Sequence, residues 1–170
     1  APLTTYYWRV DEVDSSGEVR KGNMWRFTTV FDWTVNPLET FSEGIDGQEM
    51  KLSDFRGKVV LIDFYGFWCP PCVEAIPKLR KLADEMKARS FVLVGVNSDG
   101  VRKELPDLIK KQKMTWRSWF EGSGGPIARR WNIKSWPTTY VIDHKGIIRH
   151  VNLRGDALTA AVKKLVDEVD

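Results

Sequence analysis

The fold is decided by the stretch VVLIDFYGFWCPPC, which runs from Val59 to Cys72. Its first half is almost entirely apolar, β-branched or aromatic, which favours a buried strand. Two prolines then separate the chain's only cysteines, Cys69 and Cys72. Prolines are tolerated in the first turn of a helix, because the N–H groups there have no helical partner. The stretch therefore predicts a strand that leads directly into a helix whose first turn holds both thiols.

This position suits a redox-active cysteine pair. The unpaired N–H groups and positive dipole end of the helix favour the thiolate of Cys69, which is the reactive form. A structural zinc site usually needs four ligands, and the two histidines, His144 and His150, lie far along the chain. A static disulfide across so short a loop would restrict the unfolded chain little. We predict that Cys69 and Cys72 form a disulfide that opens and closes, and we expect no metal and no cofactor.

The composition indicates a globular protein with one domain of ordinary size and a small attached element. Of the 170 residues, 42% are hydrophobic and 29% are charged. The net charge of +3 is too small to indicate binding to nucleic acid or to an anionic membrane. No apolar run reaches the ~18 residues of a spanning helix. The start, Ala1-Pro2-Leu3, does not look native, so we expect a piece of a longer protein.

Residues 1–31 alternate as strands do and carry turn residues at Asp14-Ser15-Ser16-Gly17, which predicts a β-hairpin. The hairpin resembles the last two strands of a fibronectin type III-like domain. An isolated two-stranded hairpin is marginally stable, so we expect it to fold back on the chain or to pair with a second copy. Exposed strand edges favour the homodimer. The apolar face to be covered comprises Tyr6, Trp8, Val10, Trp25 and Phe27.

Residues 32–170 alternate between strand and helix patterns, which predicts an α/β domain with a central mixed sheet. Apolar residues recur at helical spacing after the cysteines, and Phe91–Val96 reads as a second central strand. A further helix is expected after Asp99-Gly100. A hairpin is expected between residues 138 and 152, and Asp156 is expected to cap a final helix.

Three motifs in this order resemble the TlpA/ResA-like branch of the thioredoxin superfamily, over about residues 33–170. They are the lead-in LSDFRGK at residues 52–58, the motif WCPPC at residues 68–72, and WPTTYVID at residues 136–143. The resemblance implies a thioredoxin-like fold and a thiol–disulfide oxidoreductase, with reduction the favoured direction. It implies a protein dithiol or disulfide as substrate and a separate redox partner protein. It also implies a bacterial protein that acts outside the cytoplasm.

The resemblance assigns roles to three residues of the motifs WCPPC and WPTTYVID. Cys69 would be the exposed attacking cysteine, and Cys72 would be the cysteine that resolves the mixed disulfide. Pro137 would be a cis-proline that faces the disulfide and pairs with the substrate backbone. A cis X–Pro bond costs only ~0.5–1 kcal/mol. The ordinary alternative for Pro137 is a proline at the entry to a strand.

Asp63 lies on the strand that leads to the cysteines. In thioredoxins an acid at this position is buried behind the disulfide and shuttles the proton of the resolving cysteine. Alternation places Asp63 on the same face as Leu61, and a lone carboxylate in an apolar strand is costly unless it is functional or paired. The lysine that accompanies this acid in thioredoxins has no equivalent here, because Gly95 and Val96 stand near its expected place.

Trp68 and Trp136 flank the two motifs. We expect their rings to line the site and to bind substrate, either by sheltering the sulfurs or by contacting a partner protein. The alternative is that they only pack at the rim of the site. Glu74, in an early turn of the helix, is expected to stabilise that helix. Pro77 matches the kinking proline of the thioredoxin helix.

Two other functions stay open. A peroxiredoxin shares the SDFRGK lead-in, but its peroxidatic cysteine is expected in a Thr/Ser-x-x-Cys setting, whereas Gly66-Phe67-Trp68 precedes Cys69 here. A non-catalytic binding module would use the fold as a scaffold. The intact cysteine pair disfavours that second alternative.

Overall fold

The structure is a computed structural model that describes residues 4–8, 12–13, 15–21, 25–29 and 44–170. The chain divides into two compact units, Ala1–Phe31 and Asp32–Asp170. In the first unit, β1 (Thr4–Trp8) pairs antiparallel with β4 (Trp25–Thr29), and β2 (Glu12–Val13) pairs antiparallel with β3 (Val19–Arg20). This backbone pairing confirms the predicted hairpin. Its predicted apolar face (Tyr6, Trp8, Val10, Trp25 and Phe27) lies outside the described side chains.

The second unit is built on a five-stranded mixed sheet in the order β7-β6-β5-β8-β9. Strands β5, β6 and β7 are parallel, while β8 runs antiparallel to β5 and β9 antiparallel to β8. The strands are β5 (Val59–Tyr65), β6 (Phe91–Asn97), β7 (Arg117–Phe120), β8 (Thr138–Ile142) and β9 (Ile148–Val151). The helices are α1 (Pro70–Glu85), α2 (Leu105–Lys111), α3 (Pro126–Arg130) and α4 (Gly155–Asp167). Among the described residues, none of these helices has the length and apolar character needed to cross a bilayer.

The main core lies between one face of the sheet and helices α1 and α4. Strand β5 is buried along its whole length because it occupies the centre of the sheet. Its alternate residues Val59 and Leu61 pack in one cluster with apolar residues that recur every three or four positions on the two helices. Each large side chain buried there contributes roughly 1.5–3 kcal/mol. The helical members are Ile76, Leu79 and Leu82 of α1 and Leu158, Val162, Leu165 and Val166 of α4.

Two details of the predicted elements are corrected by the structure. Asp156 does not cap the last helix: α4 begins at Gly155, Arg154 is the N-cap residue, and Asp156 lies in the first turn. Gly155, the first residue of α4, has a φ of 55°, a left-handed conformation that glycine adopts readily. Strand β7 and helix α3 were not predicted, because elements of four and five residues are too short to show a period.

Candidate active site

The loop between β5 and α1 brings the two cysteines to the start of a helix. Strand β5 ends at Tyr65, and Cys69 is the extended N-cap residue of α1, with φ −102° and ψ 104°. The N–H groups of Cys72 and Val73 donate to the carbonyl oxygen of Cys69, at 3.0 and 3.2 Å. The two cysteines are joined in a disulfide. Cys69 therefore stands at the positive end of the helix, where a thiolate is stabilised.

The expectation that Cys69 is exposed is wrong for this disulfide form of the chain. Only 4% of Cys69 and 2% of Cys72 are accessible. The two cysteines form an apolar cluster with Tyr65, against which Phe67, Met114 and Trp136 pack. Two of these packing residues, Met114 and Trp136, come from segments distant in sequence. In this disulfide form Cys69 therefore presents little surface to a partner sulfur.

Pro137 lies at the same end of the sheet as the cysteines. The Trp136–Pro137 peptide bond is cis. Strand β8 starts at the next residue, Thr138, which stands opposite Phe64 near the carboxyl end of β5. Pro137 also lines the same cavity as Pro71, which lies between the two cysteines. The structure thus brings together the motifs at residues 68–72 and 136–143, which are far apart in the sequence.

The two tryptophans flanking the motifs form a pair. The rings of Trp68 and Trp136 meet edge to face with their centroids 5.7 Å apart, and 56% of Trp68 is exposed. Both indole N–H groups donate to Ser98: that of Trp68 to the carbonyl oxygen at 3.4 Å, and that of Trp136 to the hydroxyl at 3.2 Å. The Ser98 hydroxyl in turn donates to Glu121 at 3.1 Å. Burial raises the pKa of the Glu121 carboxyl.

Asp99 fixes the loop that precedes Cys69. The backbone N–H of Phe67 donates to both of its carboxylate oxygens, at 3.1 and 2.9 Å, and the side-chain amide of Asn97 donates to it at 2.6 Å. Neither Ser98 nor Asp99 was assigned a role from the sequence. A signal was present, since these polar residues directly follow β6, and the carboxyl ends of parallel strands meet at one edge of a sheet.

Asp63 is buried beneath this edge, on the β5 face that also carries Leu61, as alternation predicts. Only 3% of Asp63 is accessible, and its Oδ1 has no hydrogen-bond partner in the part of the chain that is described. Burial raises the pKa of Asp63 from 3.8 to about 7, against the opposing effect of the Arg154 guanidinium. A carboxyl group with this pKa can both accept and release a proton at neutral pH.

A cavity of about 400 Å³ opens beside Asp63. Its walls include Glu74 and Lys78 of α1, which are exposed, and Arg154 before α4. On the neighbouring strand β6, Gly95 stands directly opposite Asp63, so no lysine approaches from that side. Of the two cations that line this cavity, Arg154 is the one whose charge lowers the pKa of Asp63, and no role was predicted for it from the sequence. Helix α1 contains Pro77 in its interior, as expected.

No group of three or more His, Cys, Asp or Glu residues in the described ranges is arranged to hold a metal ion. The polar groups described above make other contacts. Asp99 binds the cysteine loop, Ser98 binds both tryptophans, and the charge of Arg154 acts on Asp63.

A family model described as the AhpC/TSA family matches residues 28–151. The chain belongs to the AhpC/TSA family. It is 30% identical over 112 residues to the thioredoxin-like protein YneN of Bacillus subtilis, covering 64% of each chain. It is 30% identical over 114 residues to the thiol-disulfide oxidoreductase ResA of Oceanobacillus iheyensis, covering 67% of this chain and 59% of the relative. The chain thus spans about three fifths of the length of these relatives.

Solved structures show the same fold for this AhpC/TSA-family chain. The thioredoxin domain of a thiol-disulfide oxidoreductase from Bacteroides vulgatus superposes with a TM-score of 0.67 at 28% identity, covering 74% of this chain and 91% of that one. The predicted thioredoxin-like fold, a central mixed sheet flanked by helices, is confirmed, and the sheet has five strands.

Proposed function

We propose that this chain is a thiol–disulfide oxidoreductase that exchanges disulfides with protein substrates and works as a reductase. The observation that carries the proposal is the Cys69–Cys72 disulfide at the N-terminus of α1, at the sheet edge where Pro137 and the cavity beside Asp63 also lie. Relatives named thiol-disulfide oxidoreductases support it.

In the proposed reaction the reduced form starts with Cys69 as a thiolate. The thiolate attacks one sulfur of a substrate disulfide, so that a Cys69–substrate disulfide forms and the other substrate sulfur leaves as a thiolate. The Cys72 thiol then loses its proton and attacks Cys69. The Cys69–Cys72 disulfide forms, and the second substrate sulfur leaves. The substrate disulfide gains two electrons, which the protein dithiol loses, and a redox partner protein restores the dithiol.

Asp63 is proposed to accept the proton of Cys72 in the resolving step. Its pKa of about 7 leaves about half of it ionised at neutral pH, which is the condition for an efficient general base. Glu74 lines the same cavity but is exposed, and its proposed role is limited to stabilising the start of α1.

Pro137, Trp68 and Trp136 are proposed to bind the substrate. Pro137 immediately precedes β8, so a substrate segment that passes the disulfide can pair with backbone at this point. The exposed ring of Trp68 offers apolar surface directly beside Cys69, which suits a protein partner more than a small molecule. We further propose that the protein acts outside the cytoplasm, where protein disulfides persist.

For the first unit, we propose that residues 1–31 are the end of a fibronectin type III-like domain and that residues 32–170 are the catalytic domain. Val13 and Val19 stand opposite each other on this hairpin and are 65% and 54% exposed. We propose that the hairpin pairs with a second copy. Sedimentation of the full chain and of residues 32–170 tests this proposal. We expect the full chain to form a dimer and residues 32–170 to stay monomeric. Both should have the same reductase activity per cysteine pair.

The proposed function is tested with the reduced full chain and a disulfide-bonded protein substrate. We expect one substrate disulfide to be reduced per Cys69–Cys72 pair, with the pair oxidised in step. Hydrogen peroxide in place of the substrate tests the thiol-peroxidase alternative, which predicts faster oxidation by peroxide than by protein disulfide. Oxidation by neither would support the non-catalytic binding module. A redox titration against glutathione then distinguishes a reductase from an oxidant.

A further inference from the structure

Three hydrogen bonds join residues 152–154 to the start of strand β8. The N–H of Asn152 donates to the carbonyl oxygen of Thr139 at 2.8 Å, and the Thr139 hydroxyl donates to the carbonyl oxygen of Leu153 at 2.8 Å. Nη2 of Arg154 donates to the carbonyl oxygen of Pro137 at 2.9 Å. The guanidinium is thus held at the backbone of Pro137, although much of Arg154 is exposed.

The same guanidinium acts on Asp63. Both residues line the cavity beside α1, and Thr139, which anchors the Arg154 segment, stands directly opposite Asp63 in the strand register. Burial raises the pKa of Asp63, and the positive charge of Arg154 opposes that rise. One side chain therefore contacts the proline that precedes β8 and influences the buried acid.

Other groups face Asp63 from the surrounding elements. From α1, Glu74 and Lys78 line the cavity, and both are exposed to solvent. Tyr65 lies two positions along the same strand, and its phenol pKa is raised, mainly by burial. Strand β6 presents Gly95 at the opposite position and so contributes no charge. Lys78 is the cation against which the effect of Arg154 can be compared.

We infer that Arg154 is a positioning residue for disulfide exchange: it holds the backbone of Pro137 and brings its guanidinium to the cavity that Asp63 lines. The inference rests on the proposed function for the role of Asp63 in the resolving step. A nearby cation stabilises a carboxylate. Arg154 thus increases the fraction of Asp63 that can accept the proton of Cys72 at neutral pH.

The test compares Arg154→Gln, Arg154→Lys and the matched control Lys78→Gln in the full chain. The first readout is the ionisation of the Asp63 carboxyl in the oxidised protein, followed by carbon NMR between pH 4 and 10. It needs no substrate and is independent of the proposed function. The second readout is the pH profile of resolution, measured as release of a thiol from a mixed disulfide on Cys69.

In Arg154→Gln we expect the Asp63 titration to move to higher pH. Resolution should then slow by about two- to fivefold at pH 7 and approach the wild-type rate above pH 9, because ionised Asp63 is restored there. Arg154→Lys keeps the positive charge, so the Asp63 carboxyl should titrate in it as in the wild type. If Arg154→Gln does not fold, a shifted Asp63 titration in Arg154→Lys would count against the inference. Lys78→Gln should leave the titration of the Asp63 carboxyl unchanged. An unmoved titration in folded Arg154→Gln, or an equal shift in Lys78→Gln, would overturn the inference. A wild-type protein that reduces no disulfide would instead refute the proposed function.

Discussion

The backbone N–H of Phe67 donates to both carboxylate oxygens of Asp99, at 3.1 and 2.9 Å. This contact fixes the cysteine loop at the end of β5 to the loop that follows the neighbouring strand β6. The position of Cys69 therefore depends on a residue that takes no part in the proposed sulfur chemistry.

Asp99→Ala should lower both the stability and the exchange rate. Removing the acceptor leaves a partly buried N–H without its partner, which costs about 1–3 kcal/mol of the free energy of unfolding. The loosened loop should also slow attack by Cys69. Urea unfolding and single-turnover exchange measure the two effects. Asp107→Ala, which removes an exposed carboxylate from α2, should cost at most about 1 kcal/mol and leave the rate unchanged. Equal effects of the two variants would contradict this role of Asp99.

The two cysteines should behave differently when each is replaced. Cys72→Ser should accumulate a mixed disulfide with the substrate, because Cys69 can attack but nothing resolves the product. Cys69→Ser should accumulate none, since Cys72 lies one turn inside the helix. Mass spectrometry of the trapped complexes checks both variants. Faster alkylation of Cys72 than of Cys69 in the reduced protein would reverse the assignment.

Asp63→Asn should be more stable than the wild type at pH 8 but not at pH 4. The pKa of Asp63 is 3.8 in its ordinary setting and about 7 in the fold, so the folded state binds the proton more tightly. The free energy of unfolding therefore falls as pH rises from about 4 to 7 and stays low above that range. The amide avoids this loss, which is worth roughly 2–4 kcal/mol at pH 8. Denaturant unfolding at the two pH values measures the difference.

The same variant should slow resolution of the mixed disulfide near neutral pH, because the amide cannot accept the proton of Cys72. Asp107→Asn serves as the exposed control and should change neither property. A gain in stability of the same size at pH 4 and pH 8 would show that the charge of Asp63 is not the cause. An unchanged rate of resolution would remove Asp63 from the mechanism.

Trp68→Ala should weaken reaction with protein substrates and spare the fold. More than half of Trp68 is exposed, so its loss should change the free energy of unfolding by no more than about 1 kcal/mol. If the ring contacts the partner, kcat/KM for a protein disulfide should fall by about 5- to 30-fold, while a small disulfide should react as before. Equal loss with both substrates would assign Trp68 to the chemistry of Cys69 and not to binding.

Much of the sheet and of helices α1 and α4 could be predicted because their apolar patterns are long. The runs at Val59–Tyr65 and Phe91–Val96 give β5 and β6, and the periodic apolar residues after Cys72 give α1. Strand β7 could not be recognised, because its four residues are placed by pairing with β6 and not by a pattern of their own.

The site was predictable where its residues form contiguous motifs and not where distant segments meet. Cys69 and Cys72 stand within one short motif, and Trp136 and Pro137 within another. Ser98, Asp99 and Arg154 act through contacts that exist only once strands from different parts of the chain are side by side. The burial of Cys69 was missed for the same reason, since Met114 and Trp136 pack against its cluster from distant parts of the sequence.

The hydrogen bonds between residues 152–154 and strand β8 have a consequence for the order in which the protein becomes active. Synthesis proceeds from the N-terminus, so Cys72 emerges about 80 residues before Arg154. Until the later segment folds, the two thiols lack the cover of Trp136 and the anchored backbone of Pro137. The growing chain thus passes through a period in which both cysteines are present but the exchange site is incomplete.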